Sequence, residues 1–152
     1  MKQFEKYQVQ ELQVSYLGNL PAKALQITSS KDAFRVLQQA WNPNTIGFQE
    51  TFQVLLLNNA NQVKGIYKLS VGSVTGTLVD IRLLFGVVLK SVSTAIIIAH
   101  NHPSGKLLAS EADKRLTRKI QQAAEYLDIK VLDHIILSPF NEYMSFADEG
   151  IL

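Results

Sequence analysis

The chain has 152 residues, 47 % of them hydrophobic, which suits one domain with a real core and excludes a disordered class. Its 15 basic and 13 acidic residues leave a formal charge of +2, too small an imbalance for an electrostatic clamp on nucleic acid, so any DNA binding needs a local patch. There is no cysteine, which excludes disulfides and thiolate metal sites; a metal requires His, Asp or Glu ligands.

The opening "MKQFEKYQVQ" is too polar for a signal peptide, and no apolar run reaches the roughly 18 residues of a membrane span. A soluble, cytoplasmic protein with no membrane contact is expected. Alternation in "QVQELQVSYL" suggests a strand, which Pro21 interrupts soon after. "SSKDAFRVLQQAW" reads as a helix with serine cap candidates and Ala33, Val36, Leu37 and Ala40 at helical spacing; Pro43 and Gly47 mark its end.

"FQVLLLN" is short, apolar nearly throughout and followed by the turn-like "NNANQ", so it reads as a strand covered on both faces, with "VKGIYKLSVG" pairing to it across the turn. Val79 to Val92 fits a mostly buried helix, with Gly86 as a packing glycine. "STAIIIAH" is the most strand-like and most buried segment. After it, "SEADKRLTRKIQQAAEYL" forms an amphipathic helix with Leu116, Ile120, Ala123, Ala124 and Leu127 on one side. "IKVLDHIILS" is a further strand, and "EYMSFADEGIL" closes with a short strand and tail. Strands and helices alternate, so the expected architecture is a sheet flanked by helices, an α/β (α+β) class.

Two clusters carry chemistry. His100 and His102 lie at i and i+2 of an extended segment and project to one side, and Pro103 biases His102 toward extended geometry. Two neutral imidazoles so placed make a chelate fragment suited to zinc. On the residues alone the other reading stays open: histidines that end a strand and bond to neighbouring backbone. Ser110 and Asp113 likewise form the S-x-x-D capping box that starts a helix. The tight "PSGKLLA" loop returns the chain from the histidines to that helix start, where the Asp113 carboxylate can complete a two-histidine, one-carboxylate site. Three protein ligands leave zinc a fourth position for water, as in catalytic sites.

With these residues in view, "HNHPSGKLLASEAD" resembles the H-x-H-P-x6-S-x2-D signature of the JAB/MPN (JAMM) metalloprotease-like domains. "HNHPSG" together with "LDHIIL" and "SFADEG" is similar to the RadC branch, over a stretch from about Glu50 to Leu152. The resemblance implies a mixed β-sheet flanked by helices in the JAB/MPN, cytidine-deaminase-like architecture, with residues 46–152 as the RadC-like domain behind a strand-helix extension at 1–45. It implies that His100, His102 and Asp113 bind Zn2+, that Ser110 stabilises the developing oxyanion, and that Glu50 is general acid/base. On local sequence alone, Glu50 is a solvated flank of the following strand. The branch usually has proline where this chain has Ala109, which removes a loop stiffener but no ligand. His134 reads as a hydrogen-bonded core residue with Asp133 as its partner.

The implied activity is zinc-dependent hydrolysis of an amide, peptide or isopeptide bond in a peptide or protein substrate. A second reading is a DNA repair-associated protein acting on or near nucleic acid, as RadC-like proteins are commonly labelled. Longer members carry helix-hairpin-helix modules; residues 1–45 here read as one strand and one helix instead. A third is a non-catalytic interaction domain, against which every ligand position is filled. A zinc deaminase fails, because its H-x-E and P-C-x-x-C pattern needs cysteine.

Overall fold

Two largely apolar strands, buried at all seven positions each, set the architecture. A strand with no polar face must be covered on both sides, and β1 (Thr51–Leu57) and β3 (Ala95–Asn101) are buried at every position. In the computed structural model Ser15 and residues 17–152 are described, and apart from Ser15 and Leu17 the anticipated N-terminal strand lies outside them.

Among the described residues the sheet has five strands in the order β2-β1-β3-β4-β5, with β2 (Val63–Val71), β4 (Lys130–Leu137) and β5 (Tyr143–Ser145) completing it. It is mixed: β1 runs antiparallel to β2 and β3, β3 and β4 are parallel, and β5 is antiparallel to β4. Helix α1 (Ser30–Ala40) covers one face, where Phe34 and Leu37 pack with Leu55, Leu57, Ile97, Ala99 and Ile135. The other face holds α2 (Ile81–Lys90) and α3 (Glu111–Tyr126), with Phe52, Val54, Ile96, Ile98, Leu84 and Ile120 in one cluster. The pleat decides this sorting, because alternate residues of a strand take opposite faces. Ile98 is fully buried at the centre, and its truncation to alanine would cost about 2–5 kcal/mol.

Several details differ from the sequence-based expectation. α2 is not mostly buried: Leu84, Phe85 and Val88 face inward, but Leu83 and Leu89 are about half exposed. It packs on β2 and α3 with a single stripe, so one apolar face suffices. Gly86 is not a packing glycine, since a Cβ there would meet nothing within 4 Å. In α1 Phe34 rather than Ala40 is buried, and at the end of α3 Leu127 is exposed as the helix cap.

The topology places the site. β1 and β3 are antiparallel, so the residue before β1 meets the end of β3, and Phe52 pairs with His100. The crossover from β3 to the parallel strand β4 runs through α3, so the start of α3 also returns to the end of β3. Carboxyl ends of parallel strands are where open sheets place ligands.

Candidate metal centre

His100 is the penultimate residue of β3 and shares the α3 face with Ile96 and Ile98. His102 follows the strand, its backbone N–H donating to the Leu137 carbonyl at 2.9 Å, which prolongs the β3–β4 ladder and keeps its ring on the side of His100. A turn closes behind it, with the Gly105 N–H donating to the His102 carbonyl at 2.9 Å. Gly105 has φ of 80°, a left-handed conformation that favours glycine, and a Cβ there would run into the Phe140 ring.

Ser110 caps α3 and Asp113 is in its first turn. The Asp113 N–H donates to Ser110 Oγ at 3.1 Å, and Asp113 Oδ2 accepts from the Ser110 N–H at 2.8 Å and from its hydroxyl at 2.7 Å. The capping box is therefore formed, and it holds the carboxylate in one rotamer beside the histidines. A carboxylate at a helix N-terminus is also favoured by the helix dipole.

The two Nε2 atoms of His100 and His102 are 3.0 Å apart; Asp113 Oδ1 is 3.3 Å from the first and Oδ2 is 3.7 Å from the second. The three residues offer ligand atoms that all lie within 4.8 Å of one another. Each ring is held by its other nitrogen: His102 Nδ1 donates to the Lys106 carbonyl at 2.6 Å, and His100 Nδ1 lies 2.7 Å from His134 Nε2. A carbonyl only accepts, so the neutral His102 ring presents a bare Nε2 to the cluster. The donor set thus fits a small divalent cation: two imidazole nitrogens and a carboxylate, with outer partners fixing ring orientation.

Electrostatics agree with the geometry. Burial would raise the Asp113 carboxyl, but the facing His100 and His102 imidazoles and the Ser110 hydroxyl outweigh it and hold the group well below the usual carboxylate range. The Asp113 carboxylate facing it lifts the His102 imidazole above its ordinary value against the effect of burial. Burial pushes the Glu50 carboxyl up, while the nearby His100 and His102 pull it down. Glu50 is only 8 % exposed, so it is not a solvated flank. It lines the same cavity of about 760 Å³ as His100, His102, Ser110 and Asp113.

Residues 27–151 match the family model described as RadC-like JAB domain. The chain belongs to the RadC-like JAB domain family. The match reaches back beyond Glu50 to take in α1, whose side chains share the core of the sheet. Among curated relatives, a UPF0758 protein of Flavobacterium johnsoniae is 48 % identical over 129 residues, covering 85 % of this chain and 55 % of that protein. One from Porphyromonas gingivalis is 34 % identical over 165 residues, covering 97 % and 73 %, and one from Aromatoleum aromaticum 43 % over 103, covering 68 % and 46 %. The chain spans about half the length of most of these relatives. Among the described residues no helix is long and apolar enough to cross a membrane.

Two further residues of this RadC-like domain bear on the site, and neither was singled out from sequence. Asn101, between the two histidines, points to the opposite face and is fully buried. Its Oδ1 accepts from the Thr51 N–H at 2.7 Å, and its Nδ2 donates to the carbonyls of Ile46 at 2.7 Å and Gln49 at 2.9 Å. The backbone on both sides of Glu50 is thereby fastened to β3. A polar residue at a buried strand position must have partners, which was the available signal. The other is Thr117, at 2.6 Å from His134 Nδ1.

His134 is buried completely, as expected, but Asp133 is not the partner of its ring. Neighbouring strand residues face opposite ways; the Asp133 carboxylate accepts from the His134 backbone N–H at 2.7 Å, the Ser145 hydroxyl at 2.5 Å and the Ala147 N–H at 3.0 Å. The ring instead contacts His100 and Thr117, between the rings of Phe52 and Phe146, and burial drives its imidazole well below the ordinary value.

Proposed function

We propose that this RadC-like JAB domain is a zinc-dependent hydrolase of peptide or isopeptide bonds. One observation carries the reading: the two imidazoles and the carboxylate converge at the floor of a cavity whose wall also holds a buried carboxylate, Glu50, and a hydroxyl, Ser110. His100, His102 and Asp113 would hold the metal. Bound there, zinc supplies Lewis acidity, bringing the pKa of water towards about 7 and polarising a carbonyl group.

Glu50 accepts the proton of the attacking water on its carboxylate and delivers it to the leaving nitrogen. Its burial suits that task, because a raised carboxyl pKa makes a stronger base. Ser110 donates its hydroxyl hydrogen to the carbonyl oxygen as that oxygen becomes negative. To do so it turns its proton away from Asp113 Oδ2, to which it now donates.

The cavity wall favours a neutral chain over a polyanion. Val74, Leu78, Leu108 and Phe52 line it, and Lys106 is its single basic residue among those described. Nucleic-acid binding relies on several Lys or Arg contacts to phosphate. Incubation of the zinc-loaded protein with a panel of peptides, isopeptide-linked conjugates and single- and double-stranded DNA tests the reading. Chelator-sensitive cleavage of an amide bond is the expected result; cleavage of DNA alone would contradict it.

A further inference from the structure

Thr117 is four residues after Asp113 on α3 and is buried, at 1 % exposure. Its hydroxyl donates to the Asp113 backbone carbonyl at 2.7 Å. That carbonyl has no proton to give, so at this distance the single hydroxyl hydrogen of Thr117 is committed to it. Donation to His134 instead would leave two oxygens facing each other with nothing between them.

The same Oγ1 lies 2.6 Å from His134 Nδ1 and has only lone pairs left for it, so Nδ1 carries the ring hydrogen. A neutral imidazole has one, and a ring buried without exposure among phenylalanines is held neutral. His134 Nε2 is therefore bare. It stands 2.7 Å from His100 Nδ1, which must be the protonated nitrogen of that ring. A neutral His100 then has its lone pair on Nε2, the atom that faces Asp113 and His102.

We propose that Thr117 and His134 are positioning residues that fix His100 in the tautomer with a bare Nε2 directed at the cluster. The chain of contacts begins at the backbone of one ligand, Asp113, and ends on the ring of another, so the two are ordered together. The value of that order to a metal rests on the metal-site reading above; the tautomers themselves do not.

The test uses the full chain with labelled histidines. Long-range 1H–15N correlation spectra of the metal-free protein at neutral pH show which ring nitrogen bears the proton. His134 is expected to carry it on Nδ1, and a proton on Nε2 overturns the relay whether or not the protein binds metal. Zinc affinity, read by chelator competition, should weaken about ten- to hundredfold in Thr117→Val, the range for loss of an outer partner, and return in Thr117→Ser. A valine variant that binds zinc as tightly as the parent, or a serine variant as weak as the valine one, would also overturn it. If the parent chain holds no zinc, the metal reading fails while the spectrum still decides the relay. The spectrum needs no variant, so a Thr117→Val protein that does not fold leaves the decision there.

Discussion

His100 and His102, two positions apart at the end of one strand, bring their Nε2 atoms to 3.0 Å of each other. Two bare nitrogens at that distance repel, so the pair with its carboxylate takes up a cation, either a proton or a metal. The two compete for the same lone pairs.

That competition sets the pH dependence of metal binding. Asp113 raises the His102 imidazole above its usual value, so protonation already opposes a metal at pH values where a free imidazole is mostly neutral. Zinc affinity should rise with pH through and beyond about 6.5 and level off once His102 is neutral. Dissociation constants measured from pH 5.5 to 8.5 check this, and a flat profile would exclude histidine ligation.

Glu50 should weaken the metal-free fold. Its carboxyl pKa is raised by burial, so the stability it contributes is present below the unfolded value of 4.5 and lost as pH rises through the higher folded value. Metal-free Glu50→Gln should therefore melt at a higher temperature than the parent at neutral pH, with the difference closing in acid. A lower melting temperature at neutral pH would show that the charged carboxylate is stabilised where it sits.

Asn101→Ala tests the fastening of Glu50. It leaves the Thr51 N–H and the Ile46 and Gln49 carbonyls without the amide, at about 1–3 kcal/mol for each buried group left unpaired. Denaturant unfolding should show the loss. Hydrolysis should fall more than zinc affinity, because the amide holds the base and faces away from the ligands.

Ser110→Ala separates cap from oxyanion donor. Loss of the cap costs about 1 kcal/mol, seen in thermal or denaturant unfolding. Turnover on an identified substrate should drop by roughly a hundredfold or more if the hydroxyl also meets the developing oxyanion. Unchanged turnover would leave Ser110 as a cap alone.

Much of this arrangement was legible in the sequence because it is local. Nearly apolar runs mark β1 and β3, period-3.6 patterns mark α1 and α3, and the i, i+2 spacing places both rings of His100 and His102 on one side. What was not legible depends on pairing. Glu50 meets His100 only through the antiparallel register of β1 and β3, 50 residues apart for the Thr51–Asn101 contact, and local composition cannot supply that. His134 was assigned Asp133 from sequence adjacency, whereas the pleat sends adjacent strand residues apart and gives the ring to His100 and Thr117. The exposure of one side of α2 is a similar case: its apolar content suggested burial, but it rests on β2 and α3 by one stripe.

The central claim is that His100, His102 and Asp113 together hold one divalent metal, and zinc content after loading and dialysis at pH 7.5 tests it most directly. The parent chain and Glu50→Gln should each retain about one zinc, while His100→Ala, which removes one of three protein ligands, should retain almost none. No zinc in the parent chain, or equal zinc in His100→Ala, would contradict it.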